Sequence, residues 1–216
     1  MTEPIAEPLP KWSAEAAPFI PYADIGTCPP HLRPALDAMA QRMGFLANSM
    51  KLYMHSPYVL EAVLNIGKNI AANPKGALPQ ELKRKLGVIC SAASGCVYSA
   101  THQVNYLLKP PAGAEEGFGL GLEDIKNLID ETGRGADEFE QVCFDFARAA
   151  SCDANNVSDE IRARLKRLLT PEQIMELAGF VGYRKFVDTV HAAIDLPLEQ
   201  SLLVHSGYID AWKPTS

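Results

Sequence analysis

Residues 78–109 form the stretch that most constrains the fold of this chain. Apolar residues recur there at helical spacing, and Ser94-Gly95 interrupts the pattern halfway. Glycine after a serine is a frequent helix end, because glycine adopts backbone angles that other residues avoid. The stretch therefore predicts two consecutive helices, over 79–93 and 96–109, that meet at a tight break.

Helical spacing continues on both sides of this stretch, and no segment shows sustained alternation of apolar and β-branched with polar residues. The sequence therefore predicts an all-α fold. Residues 1–29 are rich in proline and predict an extended N-terminal arm, residues 30–200 an all-α domain, and residues 201–216 a C-terminal tail. Further helices are expected over 31–43, 57–72, 122–131, 137–150, 158–169 and 170–194, with loops beginning at Asn48 and over 110–121.

Composition excludes several classes of protein. The 216 residues carry a formal net charge of −6, which disfavours nucleic-acid binding because phosphate contacts need clustered Lys and Arg. No apolar run reaches the ~18 residues of a membrane span, and the first residues do not resemble a signal peptide. The five cysteines are odd in number and lack C-x-x-C spacing, so we expect reduced thiols and a cytoplasmic location.

Chemically capable side chains cluster at the start of the second helix of this stretch. Cys96, Ser99 and His102 are spaced three apart, which places them on one face of a helix. The helix dipole favours a thiolate at such a position and would lower a thiol pKa of about 8.5 to about 7–8. His102 could take or give a proton, and Tyr98 could form a wall of the site. No second ligand stands beside His102 at metal spacing, so we expect no metal and no cofactor.

A serine nucleophile at Ser99 has less support from the sequence. A hydroxyl beside an imidazole still needs an orienting carboxylate and an oxyanion hole, and the sequence indicates neither. For metal binding, His191 on the last long helix is a distant candidate partner of His102. A lone helical histidine of this kind is more often structural.

Residues 86–102, with Cys96, Ser99 and His102, resemble the AhpD-like (alkylhydroperoxidase D) and carboxymuconolactone decarboxylase superfamily. Weaker similarities at 43–48, 55–57, 170–177 and 196–199 follow in the same order, so the resemblance covers about residues 35 to 200. It implies an AhpD-like helical domain that assembles into a trimer or hexamer. It also implies antioxidant thiol chemistry, in which two cysteines cycle between dithiol and disulfide while a glutamate and a histidine relay protons.

Two family positions differ in this chain. Ser99 stands where the second cysteine is expected, so no disulfide can form with Cys96. Arg84 stands where the family glutamate is expected, and Glu81, one turn earlier, is the nearest substitute. Cys90 is six residues before Cys96, but a disulfide would require their Cα atoms to lie within about 7 Å.

Three functions remain open at this point. The first is a peroxidase-type oxidoreductase that uses the single thiol of Cys96 and an external thiol reductant. The second is a lyase that acts on a small carboxylated lactone, with His102 as the acid–base group and Arg84 binding a substrate carboxylate. The third is a binding module without catalytic activity on the same fold.

Overall fold

The computed structural model describes residues 13–109, 117–130 and 134–208, and within these ranges it contains helices and no strand. The all-α prediction is therefore confirmed. Predictions for the first twelve residues, for most of the loop at 110–121 and for the end of the tail, including Trp12 and Trp212, lie outside the described residues. The described α-helices are α1 (Arg33–Met43), α2 (Asn48–Tyr53), α3 (Pro57–Ile66), α4 (Gln80–Ala93), α5 (Val97–Leu108), α6 (Leu122–Ile129), α7 (Glu138–Cys152), α8 (Asp159–Leu168) and α9 (Pro171–Ala193).

Local sequence signals explain where several helices begin. At the start of α9, the Thr170 hydroxyl accepts a hydrogen bond from the backbone N–H of Gln173. The side-chain oxygen of Gln173 accepts one from the backbone N–H of Thr170, as the capping-box pattern predicts. Ser158 caps α8 by accepting from the amide of Ile161. Ser56 occupies the expected position before α3, but its side chain makes no capping hydrogen bond.

The predicted break between α4 and α5 occurs at Ser94 and Gly95. Gly95 adopts a φ of 73°, in the left-handed region where a side chain would be strained. Cys96 follows as the N-cap residue of α5, with extended backbone angles. The break folds α5 back against α4, so the junction residues lie at one end of a tightly packed helix pair.

Helix α4 lies at the centre of the molecule and packs against α5, α6, α7 and α9. The main core contains buried apolar residues from these helices, among them Leu82, Leu86, Ile89, Val104, Phe144 and Leu177. A second cluster joins α1, α2 and α3 to Val187 of α9. Within the described ranges, no helix combines the length and the apolar character that crossing a membrane requires.

Two segments differ from the sequence-based expectation. Residues 48–53 form α2 rather than a loop, because distant residues anchor the start of this short helix. The Asn48 side chain donates to the carbonyl oxygen of Pro197, across 3.1 Å. Beyond Glu199 the chain continues as a 3₁₀ helix, Gln200–Tyr208. Its Leu202 is buried in a third, smaller core cluster with Leu52, Cys96, Tyr98, Leu196 and Leu198.

A π-helical turn, Gly67–Ala71, extends α3, and Lys83 stabilises the end of this turn. Its side chain is fully buried, and its ammonium group donates to the carbonyl oxygens of Ile70 (3.1 Å) and Asn73 (3.0 Å) and to the carboxylate of Glu176 (2.9 Å). One buried cation thus joins three segments of the chain.

Replacing Lys83 with methionine is expected to lower the free energy of unfolding by about 3 kcal/mol, because Glu176 and two carbonyl groups lose a charged donor. Urea denaturation of the variant and of the wild type would measure this change. Lys75→Met, at an exposed lysine nearby, is the matched control and should change stability little. Equal stability of the two variants would contradict a structural role for Lys83.

Candidate active site

A cavity of about 710 Å³ opens between α1, α3, α4, α5 and α9. Five of the residues singled out from the sequence line it, namely Arg84, Tyr98, Ser99, His102 and His191. Glu81, Cys90 and Cys96 are not among its lining residues. The cavity is large enough for a small organic molecule.

A glutamate that follows α9 holds the imidazole of His102. His102 Nε2 lies 2.8 Å from Glu199 Oε2, and both side chains are buried. Glu199 Oε1 accepts hydrogen bonds from the Tyr98 hydroxyl at 2.9 Å and from the backbone N–H of Asn48 at 2.5 Å. The Tyr98 oxygen in turn accepts from the amide of Ser49, at 3.1 Å.

These contacts indicate which of His102 and Glu199 carries the proton in their hydrogen bond. Burial alone would raise the pKa of Glu199, but the hydrogen bond and charge of His102, together with the Asn48 amide, lower it below its ordinary value. An ionised Glu199 only accepts hydrogen bonds, so His102 Nε2 carries a proton. Nδ1 of His102 has no hydrogen-bond partner among the described residues, which leaves it available to a molecule in the cavity.

A second imidazole, that of His191, also packs against Tyr98, with ring centres 5.0 Å apart. His191 Nδ1 lies 2.8 Å from the Ser99 hydroxyl, and His191 Nε2 lies 2.8 Å from the Tyr53 hydroxyl. Burial, with the charges of Arg184 and His102, lowers the pKa of His191 well below its ordinary value, so this ring is neutral near pH 7. Both of its nitrogens are engaged, which makes His191 a fixed part of the wall.

An ion pair lies beside this network. Arg184 donates to Asp188 Oδ1 at 2.7 Å and to the Ser91 hydroxyl at 2.8 Å. Burial raises the pKa of Asp188, and Arg184 and neighbouring hydroxyls partly offset that effect. Within the described part of the chain, Arg184 Nε and Asp188 Oδ2 are buried without a hydrogen-bond partner.

The expectation of an activated thiol at Cys96 is not met. Its side chain is only 2% exposed, in a cluster with Leu52, Leu196 and Leu198. Burial raises the pKa of the Cys96 thiol, and this effect exceeds the opposing hydrogen bond with Ser99. Removal from water outweighs the helix dipole here, because the dipole contributes at most about 2 kcal/mol. Cys96 is a free thiol, as is the nearby Cys90.

The two residues proposed as relays have different surroundings. Glu81 pairs with Lys85 at 2.8 Å and is not among the residues that line the cavity. Arg84 lines the cavity, and its guanidinium group lies 5.0 Å from the ring centre of Tyr106. Tyr98, expected as a wall, contributes a hydroxyl to the Glu199 network as well.

Reasoning from the sequence missed four polar residues of the site, Tyr53, Arg184, Asp188 and Glu199. A usable signal existed for Glu199, because it ends the apolar run Leu196-Pro197-Leu198. A charge beside such a run is partly buried in many folds, and a buried carboxylate needs partners. Arg184 and Asp188 are four apart on α9, which fits a helical ion pair but does not indicate burial.

Metal ligation has no evident place in the described part of the molecule. No group of three or more His, Cys, Asp or Glu side chains is arranged there to hold a metal ion. Each imidazole at the cavity instead faces hydroxyl or carboxylate partners. The arrangement suits proton transfer and binding of a polar organic molecule.

The fold is that of AhpD-like proteins. No protein-family model matches the sequence, and no curated protein matches it. Solved structures do match: the apo debrominase Bmp8 has a TM-score of 0.70 at 23% identity, with 83% of this chain and 92% of that chain covered. An AhpD core protein from Ralstonia eutropha JMP134, described as peroxidase-related, has a TM-score of 0.68 at 14% identity, covering 87% and 95%. A peroxidase-related protein from Silicibacter sp. TM1040 has a TM-score of 0.63 at 17% identity, covering 90% and 93%.

These similarities confirm the resemblance at the level of the fold. Proteins with this architecture include a debrominase and proteins described as peroxidase-related, so the fold does not select one reaction. The identity of the reaction has to be argued from the side chains at the cavity.

Proposed function

We propose that this protein is an acid–base enzyme with an AhpD-like fold, and that it acts on a small organic acid bound in the cavity. One observation carries the proposal. His102 lines the cavity with its Nε2 hydrogen-bonded to Glu199 at 2.8 Å and with no described partner at Nδ1. A carboxylate behind an imidazole fixes the tautomer and stabilises the imidazolium, as in other histidine-based acid–base sites.

Decarboxylation of a small carboxylated lactone is the reaction that fits these groups. The bond between the carboxylate carbon and the ring breaks, carbon dioxide leaves, and the electron pair moves into the conjugated lactone carbonyl. Protonated His102 then gives its Nδ1 proton to the ring carbon and is reprotonated from water. The reaction consumes one proton and needs no external oxidant or reductant. Glu199, paired with His102, stabilises the imidazolium form that donates the proton.

A single-thiol peroxidase is the second candidate. Its support is the position of Cys96 at the N-cap of α5 and the peroxidase-related proteins that share the fold. The thiolate would attack a peroxide, forming an S–O bond as the O–O bond breaks and releasing an alcohol. Two equivalents of an external thiol would then reduce the sulfenic acid, releasing water and a disulfide. The burial of Cys96 opposes this route.

Comparison of wild type with Cys96→Ser separates the candidates. The substrates are a panel of carboxylated γ-lactones, followed by carbon dioxide release, and hydrogen peroxide and an alkyl hydroperoxide with a small thiol as reductant. We expect turnover of a carboxylated lactone that Cys96→Ser retains. Thiol-dependent peroxide consumption that Cys96→Ser abolishes would establish the peroxidase instead. Absence of turnover with both classes, together with binding of a lactone acid, would identify a binding module.

A further inference from the structure

The wall of the cavity has a charge opposite to that of the whole chain. The protein has a net charge of −6, yet the described residues that line the cavity include no Asp or Glu. Cationic side chains do line it, and these are Arg42, Lys68, Lys83, Arg84 and Arg184. Two of them are neutralised nearby, Lys83 by Glu176 at 2.9 Å and Arg184 by Asp188 at 2.7 Å. The remaining cations give the cavity a net positive potential.

Two of the remaining cations share one aromatic ring. The guanidinium carbons of Arg42 and Arg84 lie 5.3 Å and 5.0 Å from the ring centre of Tyr106. Neither guanidinium is within ion-pair distance of a carboxylate in the described part of the chain. Stacking on the ring restrains both side chains without neutralising them, because a neutral tyrosine supplies only a weak attraction.

The positive charges of these arginines disfavour each other in the absence of a counter-charge. Burial lowers the pKa of Arg84, and the charges of Arg42 and Arg184 lower it further. Burial raises the pKa of Tyr106, which therefore stays neutral near pH 7 and provides no counter-charge. An anion bound near these guanidinium groups would reduce their repulsion and recover part of the desolvation cost.

We infer that Arg42, Arg84 and Tyr106 form an anion subsite that binds the carboxylate of a small organic acid. A planar carboxylate matches the fork of N–H donors on a guanidinium group, which is why arginine suits this role. The ring centre of Tyr106 lies 6.5 Å from that of His102, so the bound acid would lie next to the acid–base group. The inference rests on the proposed function only in assuming that this cavity is the substrate site.

The two arginines have different tasks within the subsite. Arg84 is half-buried and free of competing solvent on most sides, so it contributes most of the affinity. Arg42 is exposed at the mouth of the cavity, where water screens its charge and where it meets an incoming anion first. Arg84 is therefore the specificity-determining residue of the pair.

Titration of the protein with benzoate, followed by calorimetry, tests the subsite without requiring turnover. Benzamide is the neutral comparison, because it has the same shape and no charge. We expect saturable benzoate binding, weaker benzamide binding, and a loss of benzoate affinity of about 10–100-fold in Arg84→Gln. Arg42→Gln should lose about 2–5-fold, as expected for an exposed cation. Arg162→Gln, at an exposed arginine remote from the cavity, is the control and should bind as the wild type does.

Variants at the ring and at His102 make the result specific. Tyr106→Phe keeps the stacking surface and should retain benzoate affinity, whereas Tyr106→Leu should weaken it. Arg84→Lys keeps the positive charge, so its benzoate affinity should lie between those of the wild type and Arg84→Gln. An intermediate affinity would show that the loss in Arg84→Gln does not come from misfolding. No saturable benzoate binding, equal binding of benzoate and benzamide, or equal effects of Arg84→Gln and Arg162→Gln would overturn the subsite. His102→Gln should keep saturable benzoate binding that still depends on Arg84, so loss of turnover in that variant tests the proposed reaction separately.

Discussion

Replacing His102 with glutamine is expected to lower kcat/KM for the lactone acid by about 10²–10⁴-fold, the range that general acid–base groups contribute. Glutamine can still donate an amide hydrogen to Glu199, so the buried carboxylate keeps a partner. It cannot carry a proton to the substrate at neutral pH. The loss should therefore appear in kcat as well as in kcat/KM, because the missing interaction belongs to the transition state. Steady-state measurement of carbon dioxide release over a range of substrate concentrations would show it.

His55→Gln provides the matched control for this experiment. His55 is exposed, and its Nε2 lies 2.7 Å from the carbonyl oxygen of Pro21, outside the cavity. The control should retain the rate of the wild type. If His102→Gln also retained that rate, His102 would not transfer the proton, and the acid–base proposal would fail.

Much of the helical framework could be predicted because its signals are local. The capping box at Thr170 and Gln173, the serine before α8 and the Ser94-Gly95 break depend on residues within one turn of each other. Such patterns are complete in the sequence and need no tertiary information. Helix α2 could not be predicted in this way, because distant residues anchor its start at Asn48.

The candidate site was predicted in part, and the missing part depends on contacts far apart in sequence. Ser99 and His102 were identified from their helical spacing, and both line the cavity. Their partners, however, are 92 and 97 residues away, at His191 and Glu199. No local pattern pairs a residue on α5 with one on α9 or after it, so only the folded chain reveals these hydrogen bonds.

The error at Cys96 has a different physical origin. Position at a helix start correctly indicates the direction of the dipole effect, but burial is a tertiary property and acts in the opposite sense. Leucines from α2 and from the segment after α9 enclose this thiol.

The trimer or hexamer expected from the family resemblance stays a prediction, and light scattering would test it.

Replacing Glu199 with glutamine is expected to reduce activity by up to about 10⁴-fold, although Glu199 itself does not touch the substrate. The side chain now receives hydrogen bonds from Tyr98, Asn48 and His102. An amide would turn its oxygen toward Tyr98 and Asn48, and its NH₂ group toward His102. His102 would then lose the carboxylate charge that stabilises its imidazolium form. A neutral imidazole is a much weaker acid than an imidazolium, so up to the whole contribution of the general acid would be lost. A steep loss of kcat with little change in benzoate affinity would support this positioning role.

The same substitution should show a characteristic dependence of stability on pH. The pKa of Glu199 is lower in the folded state than its ordinary value of 4.5, so its charge stabilises the fold above that pH. At neutral pH we expect Glu199→Gln to lower the free energy of unfolding by about 1–3 kcal/mol, because the amide keeps its hydrogen-bond partners but loses the charge that strengthens those bonds. As the pH falls below 4.5 and through the lower folded-state pKa, Glu199 becomes protonated in the wild type and the difference should shrink. Urea denaturation of both proteins across this range would measure it, with Glu172→Gln, at an exposed glutamate, as the control. A difference that stays constant with pH would mean that the ionised carboxylate is not what holds His102 in place.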